Sequence, residues 1–124
     1  MFNQPSVFRP DVFRGKTALV TGGTGIGLAI AAELRLMGCD VMIASRKEDN
    51  LRRGREALDT LESPGRVVHH VCDIREQESI DRAVAYALDE LGRIDMLVNN
   101  AGGQFPTPAV AMTRRGWDAV IDTN

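Results

Sequence analysis

The stretch of sequence that decides the fold is Val20-Thr21-Gly22-Gly23-Thr24-Gly25-Ile26-Gly27. It follows a short apolar run at residues 17–20 and leads into a second apolar segment at residues 28–34. A strand, a glycine turn and a helix start in this order are typical of a phosphate-binding loop, because glycines let the chain turn sharply and let a diphosphate approach the bare backbone. Unpaired N–H groups and the helix dipole then favour an anion at the helix start. A glycine cluster alone can also be only a loop, and the flanking segments favour the phosphate site.

The composition is that of a globular chain and excludes several classes of function. The 124 residues suffice for one domain with a buried core, and the hydrophobic fraction of 44% and charged fraction of 26% are ordinary. A net charge of −2 gives no electrostatic support for binding nucleic acid or an anionic membrane, and no apolar run could span a bilayer. No secretory signal is recognisable, and Cys39 and Cys72 are too few for a disulfide framework or a zinc site. We therefore expect a cytoplasmic location.

Apolar periodicity predicts strands and helices in alternation. In the first helix, apolar residues recur at helical spacing (Ile26, Ile30, Leu34 and Met37), and Gly38 ends it. The predicted elements are strands at residues 17–20, 41–44, 67–72 and 94–98, and helices at residues 26–37, 48–61, 80–91 and from about 113 onward. Continuous apolar strands between helices indicate an α/β fold, in which a Rossmann-like, doubly wound parallel sheet is covered on both faces.

The unusual residues all follow predicted strands. They are the glycine turn, Ser45-Arg46, Asp73-Ile74 and the segment 99–103. Right-handed crossovers bring these carboxyl ends to one edge of the sheet, and ligands bind at that edge in doubly wound folds. The sequence therefore predicts a nucleotide site there.

The residues after the second strand decide which nucleotide is favoured. A dinucleotide with a free ribose 2′-hydroxyl is usually bound by an acid about 20 residues into the motif. Here Ser45, Arg46 and Lys47 occupy that place, and the first acids come later. A guanidinium suits a 2′-phosphate, whereas a carboxylate would repel it, so the pattern favours NADP(H) over NAD(H). Asp73 could bind the adenine edge or cap the following helix.

Three other side chains favour structural roles. His69 and His70 are adjacent in a predicted strand, so they point to opposite faces and cannot chelate one ion, and we predict no metal site. We expect Trp117 to anchor the last helix to the core.

Four of these segments together resemble the short-chain dehydrogenase/reductase family: residues 21–27, Asp73-Ile74, Asn99-Asn100-Ala101-Gly102 and Asn124. Within the family, residues 43–47, 99–105 and 116–120 are most similar to the trans-2-enoyl-CoA reductase and 2,4-dienoyl-CoA reductase branch, which is NADPH-dependent. The resemblance covers the chain from residue 13 onward.

The resemblance implies a role for each matching position. The diphosphate would lie against the loop, with Ile26 against the cofactor; the loop residues are Gly22, Gly23, Thr24, Gly25, Ile26 and Gly27. The 2′-phosphate would be bound by Ser45, Arg46 and Lys47. Adenine would lie between Asp73 and Ile74, and the ribose would lie against Asn100, Ala101 and Gly102. Asn124 matches the asparagine that helps to hold a proton-relay water beside the active site.

Two features depart from the family pattern. Only two residues, Gly23 and Thr24, separate Gly22 from the closing Gly-x-Gly, one fewer than the family loop has. The family also uses a Tyr-x-x-x-Lys pair with an upstream serine, but the only tyrosine is Tyr86, and Glu90 stands four residues later.

These departures, and the apolar edge strand that a 3-2-1-4 sheet leaves open, predict that the chain belongs to a longer reductase. We expect an arm at residues 1–15 and, at residues 16–124, a dinucleotide-binding half-domain that ends before the catalytic segment. The expected parent enzyme is an NADPH-dependent, homo-oligomeric (dimeric or tetrameric) reductase of a small-molecule substrate such as an acyl-CoA. The alternatives are a non-catalytic nucleotide-binding module or an oligomerising scaffold that borrows the fold.

Overall fold

The computed structural model describes residues 7–124, so residues 1–6 of the predicted arm lie outside the described residues. Strands and helices alternate along the described chain. The strands are β1 (Thr17–Thr21), β2 (Asp40–Ser45), β3 (Val67–Val71) and β4 (Met96–Val98). The helices are α1 (Gly25–Leu36), α2 (Glu48–Asp59), α3 (Gln77–Leu91) and α4 (Arg114–Ile121), with a single 3₁₀ turn at Ala109–Ala111. Among residues 7–124, no helix is both long and apolar enough to cross a membrane.

The four strands form one parallel sheet in the order β3-β2-β1-β4, which confirms the predicted fold class and strand order. The register pairs Thr21 with Ala44, and Ser45 with Val71, so β1, β2 and β3 end side by side. On the other side of β1, Val20 pairs with Val98 of β4. The four strand exits therefore share one edge of the sheet.

The two faces of the sheet carry separate apolar cores. Val20 and Ile43 face α1 and α2, whereas their neighbours Leu19 and Met42 face α3. All four side chains are almost fully buried. Because successive side chains of a strand point to opposite faces, apolar residues at every position bury both faces, which is the doubly wound arrangement.

Two large apolar side chains of the helices lie away from the core. Ile26 is 74% exposed, because the face of α1 that packs on the sheet carries Leu28 and Ala31 instead. Trp117 is 58% exposed, so the prediction that it anchors the last helix was wrong. The residue of α4 that is buried is Gly116, where a Cβ would lie 2.7 Å from the ring of Phe105. The next side chain along a helix points about 100° away, which turns Trp117 outward.

A buried arginine fastens the connection between α2 and β3. Arg35 of α1 is 7% exposed, and its Nε donates to Gly65 O at 3.0 Å. Its Nη1 donates to Leu58 O at 2.5 Å and to Leu61 O at 2.6 Å. These carbonyls belong to the end of α2 and to the segment that follows it, and they carry partial negative charge, so they solvate the guanidinium in place of water. Arg35 thereby fixes where α2 ends and where the chain turns toward β3.

At the amino end of the sheet, polar groups satisfy one another in what we term the amino-end network: Lys16, Thr17, Arg93 and Asp95. Asp95 accepts from Thr17 N at 2.9 Å, and it forms ion pairs with Arg93 and with Lys16, the latter at 3.6 Å. Thr17 Oγ1 donates to Arg93 O at 2.6 Å. Burial alone would raise the pKa of Asp95, but the Thr17 N–H and the two cations outweigh it and hold the pKa below its ordinary value. The network joins the starts of β1 and β4.

Candidate nucleotide-binding site

A cavity of about 300 Å³, here termed the carboxyl-end cavity, lies where the four strands end. It brings together most of the residues that the sequence predicted for cofactor binding: Gly22, Gly23, Thr24, Ser45, Arg46, Lys47, Asp73, Ile74, Asn100, Ala101 and Gly102. The other three predicted loop residues, Gly25, Ile26 and Gly27, open α1 beside the cavity without lining it. Five lining residues were not predicted: Ala44, Asn50, Cys72, Arg75 and Thr123.

The glycine loop offers unpaired backbone donors at the start of α1. Gly22 has a φ of +111°, in the region that favours glycine, and its N–H donates to Ala44 O at 2.7 Å. None of the N–H groups of residues 23–27 donates a hydrogen bond within residues 7–124. These groups lie at a helix N-terminus, where the dipole also favours negative charge, so the loop can bind an anion.

The loop is closely packed although it has one residue fewer than the family pattern. A Cβ on Gly27 would lie 2.8 Å from Gly22 O, and a Cβ on Gly54 of α2 would lie 2.8 Å from Gly23 O. Gly23 itself is covered by Leu51, which a Cβ would approach to 3.0 Å. Because Gly54 has no side chain, the backbone of α2 can pack directly against the glycine loop. Sequence reasoning missed Gly54, because a single glycine in a charged helix carries no signal of what it contacts.

Thr21 joins the glycine loop to the exit of β4. Its Oγ1 accepts from the N–H groups of Asn100 and Ala101, both at 3.0 Å, and donates to Val98 O at 3.2 Å. Asn100 Nδ2 donates in return to Thr21 O at 2.8 Å. Thr21 was not among the predicted site residues, although a threonine directly before the first glycine is placed to bond a neighbouring chain. These bonds therefore fix the carboxyl ends of β1 and β4 relative to each other.

The exit of β2 carries polar groups without partners. Ser45 Oγ is buried and has no hydrogen-bond partner among the described residues. The side chains of Arg46 and Lys47 are exposed and make no hydrogen bond or ion pair within residues 7–124. A buried hydroxyl without a partner is uncommon in native proteins and marks a place where a ligand atom can complete the bonding.

The exit of β3 is organised by an ion pair. Arg75 Nε donates to Asp73 Oδ1 at 2.9 Å, and Arg75 Nη2 donates to Oδ2 at 2.5 Å. These bonds, together with the Arg75 N–H at 3.1 Å, lower the pKa of Asp73 to about 2. The residue at the N-cap position of α3 is Glu76, so of the two roles left open for Asp73 the structure does not give it helix capping. Both carboxylate oxygens face Arg75 at the wall of the cavity.

Asn124 lies beside the exit of β4. Its Nδ2 donates to Gly103 O and to Val120 O, both at 2.8 Å, and its Oδ1 accepts from Gly103 N at 3.3 Å. It also borders a second, largely apolar groove of about 420 Å³ between α3 and the sheet. The structure thus places Asn124 next to the site, and its role in holding a water stays a prediction.

The remaining candidates lie outside the cavity. Tyr86 of α3 packs against the ring of His70, with ring centroids 4.8 Å apart, and it does not line the cavity. His69 Nε2 lies 3.0 Å from a carboxylate oxygen of Glu48. In the described part of the chain, no three His, Cys, Asp or Glu side chains come together in a way that could hold a metal ion.

The chain belongs to the short chain dehydrogenase family, whose profile matches residues 16–124. It is 35% identical over 117 residues to the peroxisomal 2,4-dienoyl-CoA reductase [(3E)-enoyl-CoA-producing] of Danio rerio. That match includes 94% of this chain but 39% of the relative, so the chain spans about two fifths of that protein's length.

Solved structures agree with this assignment. A short chain dehydrogenase from Mycobacterium smegmatis superimposes with a TM-score of 0.86 at 39% identity, over 91% of this chain and 48% of that one. A variant of actinorhodin polyketide ketoreductase, solved with NADPH, superimposes with a TM-score of 0.82 at 33% identity, over 87% of this chain and 41% of that one. The fold and the family are therefore established from both sequence and structure.

Proposed function

We propose that the carboxyl-end cavity binds NADP(H) and that these residues are the cofactor-binding part of a short-chain reductase. The observation that carries the proposal is the exit of β2, where Ser45 Oγ is buried without a partner and the cations of Arg46 and Lys47 are unpaired. An acid that would bind a free 2′-hydroxyl is absent from this place. A phosphate supplies both the negative charge and the acceptor atoms that these three residues lack.

The residues around the cavity fit the rest of the cofactor. The unpaired N–H groups of residues 23–27 would bind the diphosphate, for which the glycines leave room. Asp73 and Ile74 would border adenine, and Asn100, already fixed by Thr21, would border the nicotinamide ribose. When bound, NADPH supplies hydride transfer, and this chain's residues bind and orient it.

For the whole protein we propose reduction of an enoyl-CoA, a dienoyl-CoA or a related carbonyl compound, by a homo-oligomer. The similarity to a relative named as a 2,4-dienoyl-CoA reductase supports this substrate class. The chain contains no Tyr-x-x-x-Lys sequence, and Tyr86 packs on His70 away from the cavity, so we propose that residues 1–124 alone give no turnover. The proton would come from residues outside this segment.

Cofactor titration of the protein expressed from its complete reading frame tests the proposal. We expect tighter binding of NADPH than of NADH, measured by calorimetry or by nicotinamide fluorescence. Arg46→Ala should weaken NADPH binding about ten- to hundredfold, because hydrogen bonds to charged groups contribute about 1.5–3 kcal/mol. NADH binding and the unfolding midpoint should stay unchanged, since the Arg46 side chain makes no hydrogen bond or ion pair with residues 7–124. Equal affinities for the two cofactors in both proteins would contradict the proposal.

A non-catalytic nucleotide-binding module is the second candidate. Tyr86 is the only tyrosine among residues 1–124, and its position against His70, away from the cavity, favours this candidate. The two candidates separate on the reading frame and on turnover. A Tyr-x-x-x-Lys sequence after residue 124, with NADPH oxidation in the presence of an enoyl-CoA, supports the reductase; a stop codon there, with nucleotide binding retained, supports the module.

A further inference from the structure

Charges of both signs meet between the exits of β2 and β3. Cys72 N donates to Ser45 O at 2.9 Å, so the residues that follow on the two strands, Arg46 and Asp73, leave the sheet as neighbours. Both line the carboxyl-end cavity together with Arg75. Among the described residues that line this cavity, Asp73 is the only acid.

An acid in this position conflicts with a bound 2′-phosphate in two ways. A carboxylate near a phosphate dianion repels it. An unpaired Asp73 would also attract the guanidinium of Arg46 and so compete with the phosphate for it. The two side chains do interact, because the charge of Arg46 contributes to the low pKa of Asp73, after the larger effect of Arg75.

Arg75 removes this conflict by its geometry. Its planar fork meets both oxygens of Asp73, at 2.9 Å from Nε to Oδ1 and at 2.5 Å from Nη2 to Oδ2. The backbone of the turn has separate bonds, from Glu76 N to Asp73 O at 3.1 Å and from Asp73 N to Ser79 Oγ at 3.0 Å. The turn is therefore closed without the guanidinium of Arg75, and the main effect of the guanidinium is to neutralise the charge of Asp73.

We propose that Arg75 is a specificity-determining residue for NADP(H), acting through Asp73 without touching the 2′-phosphate. By occupying both carboxylate oxygens it cancels their charge and leaves Arg46 unpaired for the phosphate. The inference rests on the function proposed above.

The test is a double-mutant cycle on cofactor selectivity, in the protein expressed from its complete reading frame. NADPH and NADH affinities are measured for wild type, Arg75→Gln, Asp73→Asn and the double variant. Arg75→Gln should lower NADPH affinity about tenfold and leave NADH affinity within about twofold, because only the phosphorylated cofactor meets the uncovered carboxylate. Adding Asp73→Asn should restore the NADPH-to-NADH ratio, since no charge remains to be covered.

The ratio of the NADPH and NADH affinities separates this role from a merely structural one, because a distorted turn would weaken the binding of both cofactors alike. Arg75→Lys keeps a cation beside Asp73 but cannot occupy both carboxylate oxygens, so its NADPH-to-NADH ratio should fall between those of wild type and Arg75→Gln. This variant also tests the inference if the glutamine variant fails to fold. An unchanged ratio in Arg75→Gln, or a double variant as unselective as Arg75→Gln, would overturn the inference while the NADPH preference of the wild type stands. A wild type that does not prefer NADPH would overturn both proposals.

Discussion

The two ends of the parallel sheet treat their polar groups in opposite ways. In the amino-end network, Asp95 bonds to Thr17 and pairs with Lys16 and Arg93, so every charge has a partner. At the other end, Ser45 Oγ and the loop N–H groups have no partner within residues 7–124. The difference lies in the bonding and not in the kinds of residue, because both ends carry hydroxyls, acids and basic side chains.

The comparison shows how a fold separates stability from binding. Polar groups that satisfy one another contribute to the free energy of unfolding, whereas unsatisfied ones contribute to it little and can bond a ligand. At the carboxyl end the ordered pairs, Thr21 with Asn100 and Asp73 with Arg75, hold the walls of the cavity. Between these pairs, Ser45 Oγ and the N–H groups of the glycine loop have no hydrogen-bond partner within residues 7–124. Substitutions at the two ends should therefore change different measured quantities.

The largest effect on stability is expected from Thr17→Val in the amino-end network. The change removes the donor to Arg93 O and the acceptor for Asp95 N, which are 2.6 Å and 3.2 Å from Thr17 Oγ1. Leaving such partly buried groups unpaired should cost about 1 kcal/mol, which chemical denaturation measures. Thr17→Ser, which keeps the hydroxyl, is the matched control and should lose less. A large change in the affinity ratio of NADPH to NADH in Thr17→Val would break the separation of the two ends.

A pair of serines sharpens the comparison further. Ser63 Oγ donates to Arg35 O and accepts from Gly65 N, whereas Ser45 Oγ has no partner among the described residues. We expect Ser63→Ala to cost about 1 kcal/mol of stability and Ser45→Ala almost none. Ser45→Ala should instead weaken NADPH binding about two- to tenfold, the size of one neutral hydrogen bond of about 0.5–1.5 kcal/mol. Equal losses of stability in the two variants would show that Ser45 is satisfied in solution.

The smallest effect is expected from acid titration of the Asp73–Arg75 pair. The pKa of Asp73 is lowered from 3.8 to about 2, so its contribution to stability is complete above pH 4 and is lost as the pH falls toward 2. Both side chains are partly exposed, so solvent screens the pair and its contribution to stability is small. Denaturation of wild type and Asp73→Asn should differ at pH 7, and the difference should vanish only as the pH falls through about 2. A gap between wild type and Asp73→Asn that stays constant from pH 7 to acid would contradict the assignment.

Much of this arrangement could be predicted from the sequence because it depends on chain order. Apolar runs between helices specify a parallel sheet, and right-handed crossovers then specify which strand exits meet. The meeting of the glycine loop with Ser45, Asp73 and Asn100 at one edge of the sheet follows from these rules, whereas the order β3-β2-β1-β4 was expected from the family resemblance. Residues at strand exits are located by the topology even where their contacts are not known.

The contacts that depend on side-chain direction could not be predicted in the same way. Arg75 stands two residues after Asp73 and could equally have faced solvent, and only the turn conformation aims its fork at the carboxylate. Trp117 shares an apolar pattern with Val120 and Ile121, but α4 packs through Gly116 and Phe105, so the pattern did not reveal the buried face. Periodicity identifies a helix and leaves its rotation to the neighbours that pack on it.

The buried guanidinium of Arg35 has a consequence for engineering this fold. A segment containing β2, α2 and β3 moved into another scaffold would carry the carbonyls of Leu58, Leu61 and Gly65 but not the side chain that bonds them. Conversely, α1 moved without them would bring a buried cation with nothing to solvate it. A transplantable module must therefore run from β1 through β3, and recombination breakpoints between α1 and β3 should yield few folded chimaeras.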